Sequence, residues 1–173
     1  MNHAMTRLVA GVALIFAAST AIPAFGELPW DKTFPNGDKR FKVLSDLNNA
    51  AALDKETGLV WQLDPSIMNF NTWAGAIANC QRENIGGRGG WRLPTVEEFR
   101  SVMNPTRNNP ALSLGHPFLN LDLTTPYWTV TRSHDISTFA FAVELVAGSP
   151  LINDKGVLYR VWCVRGGQGP DGL

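Results

Sequence analysis

Gly89-Gly90-Trp91-Arg92-Leu93-Pro94-Thr95-Val96-Glu97-Glu98-Phe99 joins a glycine-rich loop to a helix start, and its reading decides the fold. Thr95 can accept from the backbone N–H three residues on, and Glu98 can reach back to the N–H of Thr95. Pro94 keeps the chain extended just before this cap. The helix so opened should run from Val96 to about Met103, bury Val96, Phe99 and Met103, and stop at Asn104-Pro105. Upstream, Trp73, Ala76, Ile77 and Cys80 recur at helical spacing, which predicts another helix with Asn71 or Thr72 as its cap.

The first residues set the compartment. Arg7 precedes the uncharged apolar run Leu8 to Ala18, too short to span a bilayer, and Ala24-Phe25-Gly26 offers small residues where a signal peptidase reads. Residues 1–26 read as a signal peptide, with an uncleaved N-terminal anchor as the alternative, and no later apolar stretch is long enough to cross a membrane. Cleavage after Gly26 would remove Arg7 as the one charged residue, leave the chain nearly neutral, and keep all six tryptophans for a single core. That balance argues against nucleic acid as a partner, because such affinity rests on clustered Lys and Arg. The one local cluster, Lys39-Arg40-Phe41-Lys42, reads as a solvated strand face.

The run Trp91-Arg92-Leu93-Pro94-Thr95, two residues, then glutamate resembles the middle of two groups: the Lcl C-terminal-like domains and the formylglycine-generating sulfatase-modifying enzymes. Three further stretches resemble the first group. They are Asp54-Lys55-Glu56-Thr57-Gly58-Leu59 with Trp61, then Tyr127-Trp128-Thr129 opening a strand, then Val161-Trp162-Cys163-Val164-Arg165-Gly166-Gly167. In the last, Trp162 stands where the family usually has arginine before the cysteine. The resemblance covers about Arg40 to Gly167, and it implies an α+β chain of C-type-lectin-like fold: two short helices, a small twisted, mostly antiparallel sheet and one disulfide. The organisation expected is a signal peptide at 1–26, an irregular lead-in at 27–39, the domain at 40–167 and a flexible tail at 168–173.

Cys80 and Cys163 are an even count in a chain expected to reach an oxidising compartment, which predicts that they pair. A first-helix cysteine bonded to a last-strand cysteine is also what the family resemblance implies. The alternative is two free thiols in a catalytic role, as in the sulfatase-modifying enzymes. Around Cys163, the run Val157 to Val164 reads as one strand with Val157, Tyr159, Val161 and Cys163 on one face. Elsewhere, Arg40 to Leu44 reads as a first strand, Ala52-Leu53 and Leu59 to Leu63 as a hairpin, and Phe139 to Leu145 as a strand with Phe139, Phe141, Val143 and Leu145 on one face. Asn104 to Pro126, with four prolines and no periodicity, is a long excursion in which Phe118 is an anchor. Its polar tips Arg107, Asn108, Asn109 and His116 are the candidate ligand contacts.

Catalytic motifs are thin. Glu97 and Glu98 are adjacent on a helix and cannot flank a glycosidic bond. Ser133-His134-Asp135 holds the letters of a hydrolase triad in a polar turn without a nucleophile elbow, and Gly86 to Gly90 lacks the Lys-Ser/Thr of a phosphate cradle. His116 and His134 have no partner at zinc-ligand spacing. Calcium is the live cofactor question, with Asn153 and Asp154 as the weak candidate ligands and a plain Asn-Asp-Lys-Gly turn as the default. Trp91, Arg92, Thr95 and Glu98 are assigned structural roles. These readings give no cofactor and a non-enzymatic binding or adhesion module, periplasmic or secreted, with an envelope, glycan or protein ligand. The alternatives are an enzyme or accessory related to the sulfatase-modifying group, and a structural subunit of an envelope complex.

Overall fold

The turn Asp54 to Gly58 shows how the sequence builds its first ladder. The Asp54 carboxylate accepts from the Glu56 backbone N–H at 3.1 Å and from the Thr57 hydroxyl at 2.8 Å, and Gly58 takes φ +74° to return the chain. The turn joins strand β2 (Ala51–Asp54) to β3 (Val60–Gln62), with Ala52 opposite Trp61. A computed structural model describes residue 34, residues 36–68 and residues 70–166. The expected signal peptide, most of the lead-in, Gly167 and the tail lie outside the described residues.

The described chain is α+β. Helix α1 (Gly37–Arg40) leads into β1 (Phe41–Val43), and α2 (Trp73–Arg82) precedes β4 (Trp91–Arg92) and α3 (Val96–Val102). Strands β5 (Tyr127–Arg132), β6 (Phe139–Val143), β7 (Pro150–Asp154) and β8 (Val164–Arg165) follow. Two sheets result, with strand orders β1-β2-β3-β8-β4 and β5-β6-β7, and every pairing within them is antiparallel. The last strand in sequence lies between β3 and β4: Val164 sits opposite Trp61 on one side and Arg92 on the other.

Two hydrophobic clusters flank this arrangement. Trp73, Ala76 and Cys80 of α2 join Trp91, Trp128, Val161 and Cys163 in one; Phe99 and Val102 of α3 join Trp61, Tyr127, Trp162 and Val164 in the other. Alternate residues of 161–164 therefore serve opposite cores. Trp162 is the hub of the second, with T-shaped contacts to Trp61 at 5.3 Å, Phe99 at 5.5 Å and Phe118 at 4.8 Å. Cys80 and Cys163 are disulfide-bonded across 83 residues, which stabilises by about 4–5 kcal/mol in the chain-entropy model.

Several expectations need correction. Arg40 ends a helix rather than starting a strand, and it is buried, not part of a solvated face. Residues 157–163 carry only isolated bridges at Tyr159 and Arg160, because Tyr159 pairs with Asn71 and Arg160 with Tyr127 on a different neighbour. In β6 Ala140, Ala142 and Val143 are fully buried, while Phe139 and Phe141 are half-exposed. The Trp73 indole N–H of α2 donates to the Thr129 carbonyl of β5 at 2.8 Å, and Ala140 and Ala142 pack in the same cluster as Trp73. Helix α3 buries Phe99 and Val102, with Met103 outside it as C-cap.

Arg40 forks onto Asp54 at 2.8 and 2.7 Å, reaches Glu56 at 2.7 Å and donates to the Ser101 carbonyl, tying α1, the first turn and α3 together. Asp54 is wholly shielded from water. Asp54→Ala should therefore cost about 3–5 kcal/mol by stripping the buried Arg40 fork of its bidentate partner and leaving Glu56 as its one carboxylate, against less than about 1.5 kcal/mol for Glu56→Ala. Urea unfolding of the two variants checks the order, and equal losses would contradict it.

Candidate functional site

The glycine-rich approach to β4 is explained by packing. Trp91 is buried and donates its indole N–H to the Arg88 carbonyl at 2.6 Å. Arg92 forks onto Glu98 at 2.7 and 2.6 Å and donates to the Leu93 and Gly166 carbonyls. Thr95 and Glu98 complete a reciprocal capping box. Both Nη atoms of Arg92 and both carboxylate oxygens of Glu98 are engaged within this cluster, which holds α3 against the end of β8.

A second polar cluster closes the far end of the long excursion. Arg160 donates to Asp122 at 2.8 Å and lies 3.9 Å over the Phe70 ring, and the Asp122 N–H donates to the Tyr127 hydroxyl. Partial burial works to raise the Asp122 pKa, but hydrogen bonds from Thr124 and Arg160 and the Arg160 charge outweigh it and hold the carboxyl well below the usual range. Burial pushes the Tyr127 hydroxyl up to about 12, so it stays protonated across the physiological range. Here too the arginine is met by a carboxylate.

The beginning of the excursion is different. A cleft of about 550 Å³ is lined by Asn36, Asp38, Asn104, Thr106, Arg107, Leu114 and Gly115. Its wall is a turn: the Asn104 side chain accepts from the Thr106 N–H and hydroxyl, and the Arg107 N–H donates to the Asn104 carbonyl. Its floor is the close approach of α1 to residues 114–116. There the Gly37 N–H donates to the Leu114 carbonyl at 2.7 Å, and a Cβ on Gly37 would fall 2.5 Å from the His116 backbone nitrogen. Only glycine permits that contact.

Among the described residues, four buried side-chain polar atoms lack a hydrogen-bond partner: Asn36 Oδ1, Arg107 Nε, His116 Nδ1 and Trp61 Nε1. The first three lie in or against this one cleft. Each such atom costs about 1–3 kcal/mol, and native structures contain few, so their clustering calls for a cause. A neighbouring groove of about 440 Å³, lined by Glu97, Arg100, Ser101, Met103, Pro105, Ala147 and Gly148, holds none of them, and its Arg100 faces Glu97 at 3.6 Å.

Of the expected contact residues, the structure brings Arg107 to the cleft and leaves His116 behind its floor, both half-buried rather than at exposed tips, with the His116 ring stacked on Phe118 at 5.8 Å. Asn108 and Asn109 are exposed and do not line it, the Asn109 N–H being used by the Val146 carbonyl. Asn153 and Asp154 serve the turn after β7: Asn153 donates to the Tyr159 hydroxyl at 2.7 Å, and Asp154 accepts from the Gly156 N–H at 2.8 Å. Among the described residues no group of three or more His, Cys, Asp or Glu is placed to hold a metal ion. Sequence reasoning missed Asn36 and Asp38, which fall in the stretch read as an irregular lead-in. The signal available was Gly37 between two polar residues, but its partner is almost eighty positions away.

Burial, and secondarily the Arg107 charge, hold the His116 pKa below its ordinary 6.5. The unfolded chain therefore takes up this proton first as pH falls. The resulting penalty is absent above the unfolded pKa and grows as pH drops through it toward the folded value. Between about pH 7.5 and about pH 5.5 the urea midpoint should fall, and His116→Gln should lessen that fall. Superimposable pH profiles for the two proteins would contradict this placement of the imidazole.

The family comparison covers most of this geometry. The sequence profile of the Lcl C-terminal domain matches residues 50–165, which takes in both cysteines, the Trp91 to Glu98 cluster and the Arg107 wall, while Asn36 and Asp38 precede it. No curated protein matches the chain. With well over half its length matched, the chain belongs to the Lcl C-terminal domain family.

Proposed function

We propose that this chain is an exported, non-enzymatic binding module of a bacterial envelope, and that it contacts its ligand at the Arg107 cleft without calcium. The observation that carries the reading is a cleft of about 550 Å³ whose lining includes Arg107, a half-buried guanidinium with no ion pair among the described residues. The Cys80–Cys163 bond is consistent with a location outside the cytoplasm. Among the described residues no helix is long and apolar enough to cross a membrane, as a domain displayed in an aqueous compartment requires.

Binding rather than turnover is favoured by what surrounds the cleft. Its titratable groups are Asp38, Arg107 and, behind it, His116 kept toward the neutral form, with neither a nucleophile nor a second acid positioned opposite a base. Both cysteines are committed to the disulfide, which argues against a sulfatase-modifying type of chemistry. Asp154 spends one carboxylate oxygen on its own turn, which argues against a calcium cage there.

A calorimetric screen of defined glycans and small polar molecules, run with calcium and with chelator, tests the reading. A ligand should bind equally in both, be recovered chemically unchanged, and be lost in Arg107→Gln. A calcium-induced rise in melting temperature that disappears in Asp154→Ala would move the site to the β7 turn, and consumption of a bound ligand would make the protein an enzyme.

A further inference from the structure

Asn-Gly occurs once in the sequence, at Asn36-Gly37. In an open chain this pair deamidates readily, because glycine leaves its backbone nitrogen uncrowded and able to turn onto the asparagine side chain. The Gly37 nitrogen gives its proton to hydroxide and attacks Cγ of Asn36. A C–N bond forms and closes a succinimide ring as the Cγ–Nδ2 bond breaks and ammonia leaves. Water then opens the ring at either carbonyl, giving aspartate or isoaspartate.

The fold blocks each part of that reaction. Gly37 is buried and its N–H donates to the Leu114 carbonyl at 2.7 Å, so hydroxide has no access to the proton. The bond that must turn is fixed as well. Asn36 is held at φ −155° and ψ 166° with its carbonyl accepting from the Arg40 N–H at 3.1 Å, and ring closure would swing ψ by tens of degrees and break that contact. Nor can Gly37 shift sideways, since it lies so close to residues 115 and 116 that a Cβ would meet the His116 backbone nitrogen at 2.5 Å. The target amide, by contrast, is not spent on the helix. Asn36 is the N-cap of α1 but makes no side-chain cap bond, and its Oδ1 is shut off from water without a partner among the described residues. What keeps these atoms apart is the docking of α1, whose far end is anchored by the Arg40 fork on Asp54 and by its bond to the Ser101 carbonyl.

We propose that Asn36-Gly37 is a gated modification site: the Asn36 amide is retained while α1 is docked and converts to aspartate and isoaspartate when α1 opens. The product does not let the gate close again. Aspartate puts a carboxylate where Oδ1 has neither a donor nor water. Isoaspartate routes the main chain through Cβ and Cγ, so the carbonyl that accepted from Arg40 and the nitrogen that donated to Leu114 cannot both keep their places. Because Asn36 and Asp38 line the Arg107 cleft, an opening that ends in reaction also alters the wall of that cleft.

Peptide-mapping mass spectrometry of the full chain in mildly alkaline buffer tests this, with the parent folded, the parent in guanidinium chloride, and Asp54→Asn folded. Deamidation at Asn36 should be at least about tenfold slower in the folded parent than in denaturant, and the slowing should match the hydrogen-exchange protection of the Gly37 amide, since one opening releases both. Asp54→Asn weakens the hold of Arg40 on α1, so it should speed the folded-state reaction and leave the rate in denaturant unchanged. If that variant does not fold, the match between the two protections on the parent decides alone. Deamidation at Asn36 as fast in the folded parent as in denaturant overturns the proposal. So does slow deamidation beside a Gly37 amide that exchanges freely, or a folded Asp54→Asn that reacts no faster than the parent.

Discussion

The structure hangs on one segment, Val161 to Val164, whose two faces are both buried. Val161 and Cys163 pack with α2 and Trp91, while Trp162 and Val164 pack with α3, Trp61 and Phe118. Such a segment cannot slip by one residue without exchanging the contents of two cores. The disulfide fixes its register to α2, the Trp162 indole N–H fixes it to the Gln62 carbonyl at 2.8 Å, and the Val164 pairings place β3 and β4 on either side. Everything else is arranged around that fixed line.

Charge is used in the same spirit. Arg40 with Asp54, Arg92 with Glu98, and Arg160 with Asp122 each pin a loop to the frame, and each guanidinium is met by a carboxylate. Fork geometry matters in the first two, where a lysine ammonium would meet one oxygen and lose the other. Arg107 breaks this habit. Arg165 spends its Nε on the Gly89 carbonyl, whereas Arg107 has neither an ion pair nor a side-chain hydrogen bond among the described residues.

What the sequence made legible was local chemistry with a short reach. The Thr95–Glu98 box, the Thr72 cap, the Asp54 to Gly58 turn and the α2 face are all written within a few residues, and the structure contains each of them. Phe118 as an anchor was legible from its isolation in the loop, and it packs on Phe41 and Trp162. Long-range matters were not. The apolar alternation of β6 was visible, but its burial does not follow one face: Ala140 and Ala142 join the cluster of α2, while Val143 joins that of α3. Arg40 looked solvated because its partner Asp54 is fourteen positions away. The cleft was half legible: Arg107 and His116 stood out as polar residues in an aperiodic loop, while the Asn36 to Asp38 floor is brought to them only by tertiary contact.

The claim that segment 161–164 closes the whole structure is tested most directly by amide hydrogen exchange in the oxidised protein. The Cys163 N–H, bound to Gln62 Oε1, and the Gln62 N–H, bound to the Cys163 carbonyl, should exchange only through global unfolding. Their opening free energy should equal the unfolding free energy measured in urea, and both should fall together when the disulfide is reduced. Opening of these two amides at lower cost than the interior of α2, with no response to reduction, would show that the frame is held elsewhere.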